Sequence, residues 1–486
     1  VGDSAERAAE GVIRTQLRPY QEEAVAAARP HDGFCLFPEQ RTGKCLVSLA
    51  IVDERKPDVC IIICPKKAVK TWDDEIDKHL DNDWGCEFYI ITYQEPVKNL
   101  DLRKEWYKET LKWQKEGVSI MVIADEAHYI KKPGTAQSRF ARTLAKRATS
   151  RLALTGTPFD KGYEQVWAIF DFIGHKEIFG TYENYKERYV VYKTMERRDG
   201  RQYPVLVGYQ REEEILEYIH DYSYRITFNE ARKAMGKDPV RLRRRKIRFK
   251  LTRKARAIYN ELESDMETTI GELTVGAPLP VTLPQKLQQV CGGFLLHQER
   301  IPGQRKRTRT IIPCGTEKLD RMMALLSGFG QERAVICCRF THEIDAIADK
   351  FEEFGWTYKI IDGRNEWDGE FDVDFVILQV KSGLGFDLSQ ANAYIFYSWD
   401  YSWITFDQSR FRIMNMETTN WVYYYFMMAE DTIEDDYYEA VAKKKDFAEL
   451  VLDRYRKEKV QERRGTARRG ARRVRKTSRL AEAPYR

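Results

Sequence analysis

A chain of 486 residues, 43% hydrophobic and 32% charged, has the balance of a soluble globular protein and room for two or three domains. Its net charge of +6 is uneven: from Asp453 onward there are 14 Lys and Arg against 4 Asp and Glu, or +10, leaving −4 on everything before. No apolar run could span a bilayer, the opening VGDSAERAAEG lacks a signal peptide's apolar centre, and the nine cysteines include no C-x-x-C pair. Membrane insertion and structural zinc are therefore not expected, and a reducing, intracellular compartment is.

In chain order, strand and helix signals alternate from Ile13 to Gly174, the pattern of a parallel sheet. Strands are predicted at Phe34–Phe37, Val59–Cys64, Phe88–Thr92, Val118–Ala124 and Arg151–Leu154, with amphipathic helices at Lys44–Arg55 and Ala68–Leu80 among the connections. The turn PEQRTGKC, Pro38–Cys45, has the position of a phosphate loop. Gly43-Lys44 opens a helix whose N–H groups can cradle phosphates while the lysine neutralises them. Pro38 stands where such loops have their first glycine. Cys45 stands where a hydroxyl ligates Mg²⁺, and a thiol suits that hard cation poorly. An ordinary helix start is the alternative reading of these residues.

The strand ending at Ala124 runs into Asp125-Glu126-Ala127-His128. Carboxylates at the C-terminal end of a parallel strand lie where ligands bind in open α/β sheets. Nucleotide hydrolysis needs such a pair, one carboxylate for Mg²⁺ and one to orient the attacking water.

From Gly174 to Cys314 the pattern changes. Tyr182–Tyr192 reads as helical, Asp199-Gly200 as a hairpin turn, and Thr252–Ile270 as a long helix. Pro302-Gly303 marks a second turn. Arg241–Lys250 is intensely basic and alternates like an exposed strand, which suits either phosphate contact or a solvated face. From Thr316 to Leu452 α/β alternation returns, with strands at Ala334–Cys338, Tyr358–Ile361, Val373–Val380 and Tyr394–Tyr397. The tail beyond Leu452 is rich in arginine and poor in apolar residues. It is expected to be disordered until it meets nucleic acid.

Taken in order, LRPYQEEA, EQRTGKC, IIICPKKAVKTWDDEI, ITY, ADEAHYIKKP and RLALTGTPF resemble the helicase motifs of superfamily 2. The Trp72-x-x-Glu75 pair and the DEAHYIKKPGT spelling resemble its Swi/Snf branch, in the compact form found in bacteria and phages. The resemblance implies an α/β protein of two RecA-like parallel-sheet lobes, residues 1–174 and 315–452. Between them would lie an inserted α+β subdomain, 175–314, and after them the basic tail, 453–486. It implies ATP with Mg²⁺ in the cleft and double-stranded DNA across both lobes. RNA stays open as the polymer, and so does a protein partner.

The roles carried over are residue by residue. Gln21 would pair with adenine, Gly43, Lys44 and Cys45 would hold the phosphates, and Asp125 the Mg²⁺. Glu126 would orient water. Lys66, Thr92 and Thr157, with Ser382 and Gly383 in QVKSGLGFDLSQA, would meet the DNA. In QSRFRIMNMET, Gln408 and Arg412 fall in place as catalytic partners, whereas Asn415 stands where a second arginine belongs. Trp72 reads as core packing. The function implied is a DNA-dependent ATPase that translocates on duplex. Cys45 and Asn415 favour a clamp that keeps the motor's shape without turnover, and a strand-separating helicase is the third reading.

Overall fold

The computed structural model describes residues 13–441 apart from 157–161, 197–199, 272, 278–281, 301–306, 331, 366, 368, 381–385 and 401. The chain divides into two compact units: residues up to 39 with 44–226, and residues 40–43 with 227 onward. The expected tail, 453–486, lies outside the described residues.

The first unit is built on a six-stranded, wholly parallel sheet. Its strands are β1 (Gly33–Leu36), β2 (Val59–Cys64), β3 (Glu87–Thr92), β4 (Ile120–Ala124) and β5 (Ser150–Leu154), in the order β3-β2-β4-β5-β1, with the two-residue β8 (Ser223–Tyr224) at the far edge. β2, VCIIIC, and β4, IMVIA, are buried at every position. Helices cover both faces of a parallel sheet, so its central strands read as unbroken apolar runs. Each fully buried Ile or Val in them contributes roughly 1.5–3 kcal/mol. Helices α2 (Lys44–Arg55) and α3 (Val69–His79) follow the predicted bounds closely, and α1 (Pro19–Ala28) precedes β1.

The same unit carries an antiparallel hairpin, β6 (Val190–Glu196) with β7 (Gln202–Tyr209). Its strands flank Gly200, as the sequence predicts. The helix predicted over Tyr182–Tyr192 ends at Tyr189, and β6 begins at Val190.

The second unit has its own six-stranded parallel sheet, ordered β15-β16-β14-β17-β18-β9. These strands are β9 (Leu242–Phe249), β14 (Ala334–Cys338), β15 (Tyr358–Ile361), β16 (Phe375–Gln379), β17 (Ala393–Phe396) and β18 (Val422–Ala429). Two antiparallel pairs complete the unit: β10 (Glu267–Ile270) with β11 (Leu273–Gly276), and β12 (Phe294–Arg300) with β13 (Arg307–Pro313). The stretch 175–314, expected as one inserted subdomain, is thus shared between the units. Residues 175–226 lie in the first unit, whereas β9 joins the main sheet of the second beside β18. Ile247 packs against the core under that sheet, and Phe249 joins the cluster beneath the helix Arg253–Asp265. The helix expected to run to Ile270 stops at Asp265, because Met266 takes a left-handed conformation (φ 61°) and the chain turns into β10.

A buried charge cluster braces the second unit. Lys318 and Glu434, 1% and 0% exposed, form an ion pair, and the Lys318 ammonium lies 5.1 Å from the Tyr397 ring centroid. Glu343 is the second carboxylate there. Its Oε2 accepts hydrogen bonds from Ser398 Oγ and from the Phe340 N–H, while its Oε1 has no hydrogen-bond partner among the described residues. One lysine cannot neutralise two buried carboxylates. Burial, helped by Glu434 and opposed by Lys318, pushes Glu343 up from 4.5 to about 7.

The folded state therefore keeps a proton that the unfolded chain releases above about pH 4.5, and this group weakens the fold as pH rises towards 7. Replacing Glu343 by Gln is expected to stabilise the protein at pH 8 by up to about 3 kcal/mol and to change little at pH 4. Denaturant titrations at the two pH values check this. Equal effects at both would show that Glu343 is ionised throughout.

Candidate active site

All strands of the first sheet are parallel, so the turn after β1 and the tip of β4 emerge at the same edge. The turn after β1 contains Gly43 at φ 82°, a left-handed conformation that costs a glycine little, and it leads straight into α2. Lys44, the first residue of α2, lies across the loop with Nζ 3.3 Å from the Pro38 carbonyl and 3.4 Å from that of Glu39. At the other end of the site β4 delivers Asp125 and Glu126.

Asp125 is fixed from three sides. The Trp72 indole N–H donates to its Oδ2 at 3.0 Å, the Glu126 backbone N–H donates to Oδ1 at 2.9 Å, and Tyr93 Oη donates to its main-chain carbonyl at 2.7 Å. Trp72 is fully buried in α3, one turn from the exposed Lys66 and Lys67. The sequence suggested packing alone for this tryptophan, and the structure adds a polar task. Its signal was the Trp72-x-x-Glu75 spacing, which sets both side chains on one side of α3. Tyr93 stacks on Tyr129 at 5.1 Å, and nothing in the sequence but its place after β3 marked it.

Glu126 is in a left-handed conformation (φ 49°, ψ 54°). A non-glycine residue there costs on the order of 1 kcal/mol or more, and such outliers gather at functional sites. The Glu126 carboxylate lies 3.1 Å from His128 Nδ1. Burial first, and Glu126 second, push the Asp125 carboxyl up to about 6, while the Trp72 bond and nearby Lys44 pull against them. Burial and the Asp125 and Glu75 charges hold the Cys45 thiol protonated, well above its ordinary range. Cys45 is thus a neutral neighbour of the carboxylates.

These residues fit Mg²⁺ with a nucleotide. Among the described residues no three His, Cys, Asp or Glu side chains cluster as a metal cage. Mg²⁺ does not need one, since it is bound by one or two carboxylates with waters and substrate phosphates. Asp125 supplies the carboxylate, and its discomfort beside Glu126 is what a cation would relieve.

Other expected residues are placed as follows. Gln21 is buried, and its Oε1 accepts the Arg18 N–H at the start of α1. Lys66 is exposed, as a DNA contact requires. Thr92 is buried and its hydroxyl accepts the Glu95 N–H, so it braces a turn. Thr155 is buried at the end of β5. Thr157, Ser382 and Gly383 lie outside the described residues.

In the second unit Gln408 is half-buried on the helix Trp403–Arg410. Arg412 is 4% exposed beside Tyr394 and Cys337, with Nε and Nη1 lacking any hydrogen-bond partner among the described residues. Burial lowers its pKa, yet an arginine stays charged. Asn415, where a second arginine was expected, builds its own loop. Its Oδ1 accepts the Glu417 N–H at 2.8 Å, its Nδ2 donates to Ser389 Oγ at 2.8 Å, and its N–H donates to Thr418 Oγ1 at 2.9 Å.

A family profile described as SNF2-related domain matches residues 27–292. DNA excision repair protein ERCC-6-like of Bos taurus is 24% identical over 257 residues, 47% of this chain and 20% of that protein. Helicase-like transcription factor of Homo sapiens is 23% identical over 316 residues, 59% of this chain and 29% of that protein. The chain therefore spans less than a third of the length of these curated relatives. A structure described as the Sulfolobus solfataricus SWI2/SNF2 ATPase core in complex with dsDNA aligns over 92% of this chain and 94% of its own, at 20% identity and a TM-score of 0.39.

Two substitutions probe the site. Trp72→Phe keeps the ring and removes the N–H that orients Asp125, so turnover should fall roughly 10- to 100-fold with a higher Mg²⁺ requirement. ATP hydrolysis across a Mg²⁺ titration measures this, and an unchanged Mg²⁺ requirement would reduce Trp72 to packing. Asn415→Arg should lower thermal stability by about 1–2 kcal/mol without raising turnover, because it dismantles the loop's hydrogen bonds. A gain in turnover would assign the position to catalysis after all.

Proposed function

This chain belongs to the SNF2-related family, and on that premise we propose that it hydrolyses ATP in response to double-stranded DNA and uses the cycle to move along the duplex. The observation that carries the proposal is the Asp125–Glu126 pair at the tip of β4, electrostatically coupled to Lys44. Lys44 neutralises β/γ-phosphate charge, and Gly43 lets the backbone approach it. Asp125 holds Mg²⁺, which when bound shields phosphate charge. Glu126 takes up the water's proton side, steadied by His128. Gln21, on α1, is proposed for the base, and Gln408, in the second unit, as a further catalytic residue.

Arg412 is proposed as the anion-binding residue of the second unit. A buried guanidinium whose Nε and Nη1 lack hydrogen-bond partners among the described residues bears a desolvation cost that an anion offsets. Phosphoryl transfer rewards such an arginine by roughly 10³–10⁵ in rate. Cys45 stands where a hydroxyl ligand would be, so Asp125 would be the residue that holds Mg²⁺, with waters and substrate phosphates completing its shell.

DNA as the polymer follows the naming of the relatives, one for DNA excision repair and one as a helicase-like transcription factor. Lys66, Thr157, Ser382 and Gly383 are proposed contacts. The described residues contain no helix long and apolar enough to cross a membrane, and all nine cysteines are free, which suits a reducing, DNA-containing compartment. Movement along the duplex is proposed ahead of strand separation, which stands as the alternative.

Glu126→Gln is expected to bind ATP as the parent chain does and to lose turnover by at least about 10²-fold. Nucleotide binding and hydrolysis measured on the same preparation separate the two. The parent chain should displace a triplex strand from duplex DNA with ATP and leave a forked duplex paired. Efficient fork unwinding without triplex displacement would reverse that choice.

A further inference from the structure

We propose that the start of β9, Arg241 to Arg245, together with Trp421, is a nucleic-acid contact surface that grips the phosphodiester backbone. The proposal rests on the reading of the chain as a nucleic-acid-dependent ATPase and adds a binding element to it.

β9 is the edge strand of the second sheet among the described residues. Arg241, Arg243, Arg244 and Arg245 are all exposed, and none forms an ion pair among the described residues. Further along, Lys246 lies 3.9 Å from the Tyr438 ring and Arg248 pairs with Asp435 at 2.6 Å, so the strand's second half is compensated within the fold. Its first half is not. The Trp421 indole, 37% exposed, has the Arg243 guanidinium 4.4 Å and the Arg241 guanidinium 5.9 Å from its ring centroid.

Alternate residues on a strand are about 6.7 Å apart, and at that distance like charges repel by roughly 0.6 kcal/mol even in water. Arg241, Arg243 and Arg245 lie on one face of the strand and Arg244 on the other, and the fold gains nothing visible from these charges. Cations on an edge strand also deter edge-to-edge pairing, but one or two lysines serve that end. Arginine at four of five positions, two of them on an indole, is instead suited to phosphate. The guanidinium fork pairs bidentately with phosphate oxygens, and the aromatic ring holds it in place at little entropic cost. An aromatic set among arginines also offers a base a stacking face when the strand is single.

The test uses the full chain and fluorescent duplex DNA, single-stranded DNA and RNA of equal length, titrated across salt concentrations. Each duplex phosphate contact contributes about 0.9 to the slope of log affinity against log salt. Arg241→Gln/Arg243→Gln/Arg245→Gln should flatten the duplex slope by about 2–3, and Arg243→Gln alone by about 0.9. ATP hydrolysis without nucleic acid should stay unchanged. The corresponding triple lysine variant should keep the slope and bind less tightly.

The three polymers identify which backbone is gripped. If the triple glutamine variant loses its fold, the single and lysine variants carry the decision. An unchanged slope in folded variants, while the parent chain still binds, overturns this surface alone. Polyglutamate competing for the arginines while the DNA slope is unaffected would assign them to an acidic protein and overturn it equally. A parent chain that binds none of the three polymers removes the motor reading as well.

Discussion

The hydrogen bond from the Trp72 indole to Asp125 is the contact on which the proposed nucleotide site depends. Two carboxylates stand side by side at the end of a strand whose every residue is buried, in surroundings that penalise their charge. Left alone, Asp125 would swing or protonate. The indole N–H, the Glu126 N–H and the positive Lys44 hold it as an oriented anion. That orientation is inherited from the sheet. β2 pairs with β4 residue by residue, and α3, which follows β2, brings Trp72 over the tip of its neighbour.

Buried charge is handled in two opposite ways in the second unit. Lys318 and Glu434 satisfy each other, and Glu343 escapes its surplus by holding a proton, so that cluster is structural. Arg412 has no such compensation from the described residues. A charge that the fold leaves unmatched is better explained by a ligand than by stability. The unmatched arginines of β9 follow the same logic at the surface, where the cost is repulsion rather than desolvation.

Much of this was legible in the sequence. The central strands declared themselves because a doubly covered parallel sheet needs unbroken apolar runs, and the sequence put Lys44 at a helix start and Asp125-Glu126 at a strand's end, where the structure has them. What escaped was non-local. The alternation in Leu242–Phe249 shows a strand but not that it pairs with β18, some 180 residues on. Asn415 looked like a weakened arginine, whereas it caps a loop through contacts to Ser389, Glu417 and Thr418. Thr92 looked like a DNA contact and is a buried brace, since its hydroxyl is already used by the backbone of Glu95. Residue type and order reveal the chemistry of a site, but the partners that orient each group come from distant strands.

Steady-state ATP turnover by the full chain, with and without duplex DNA at saturating Mg²⁺, tests the central claim most directly. The roles proposed for Lys44, Asp125 and Glu126 predict measurable hydrolysis that rises at least about tenfold with duplex, a difference of about 1.4 kcal/mol in barrier height. Turnover indistinguishable from buffer under both conditions, with ATP still bound, would contradict it and leave a clamp that keeps the form of a motor.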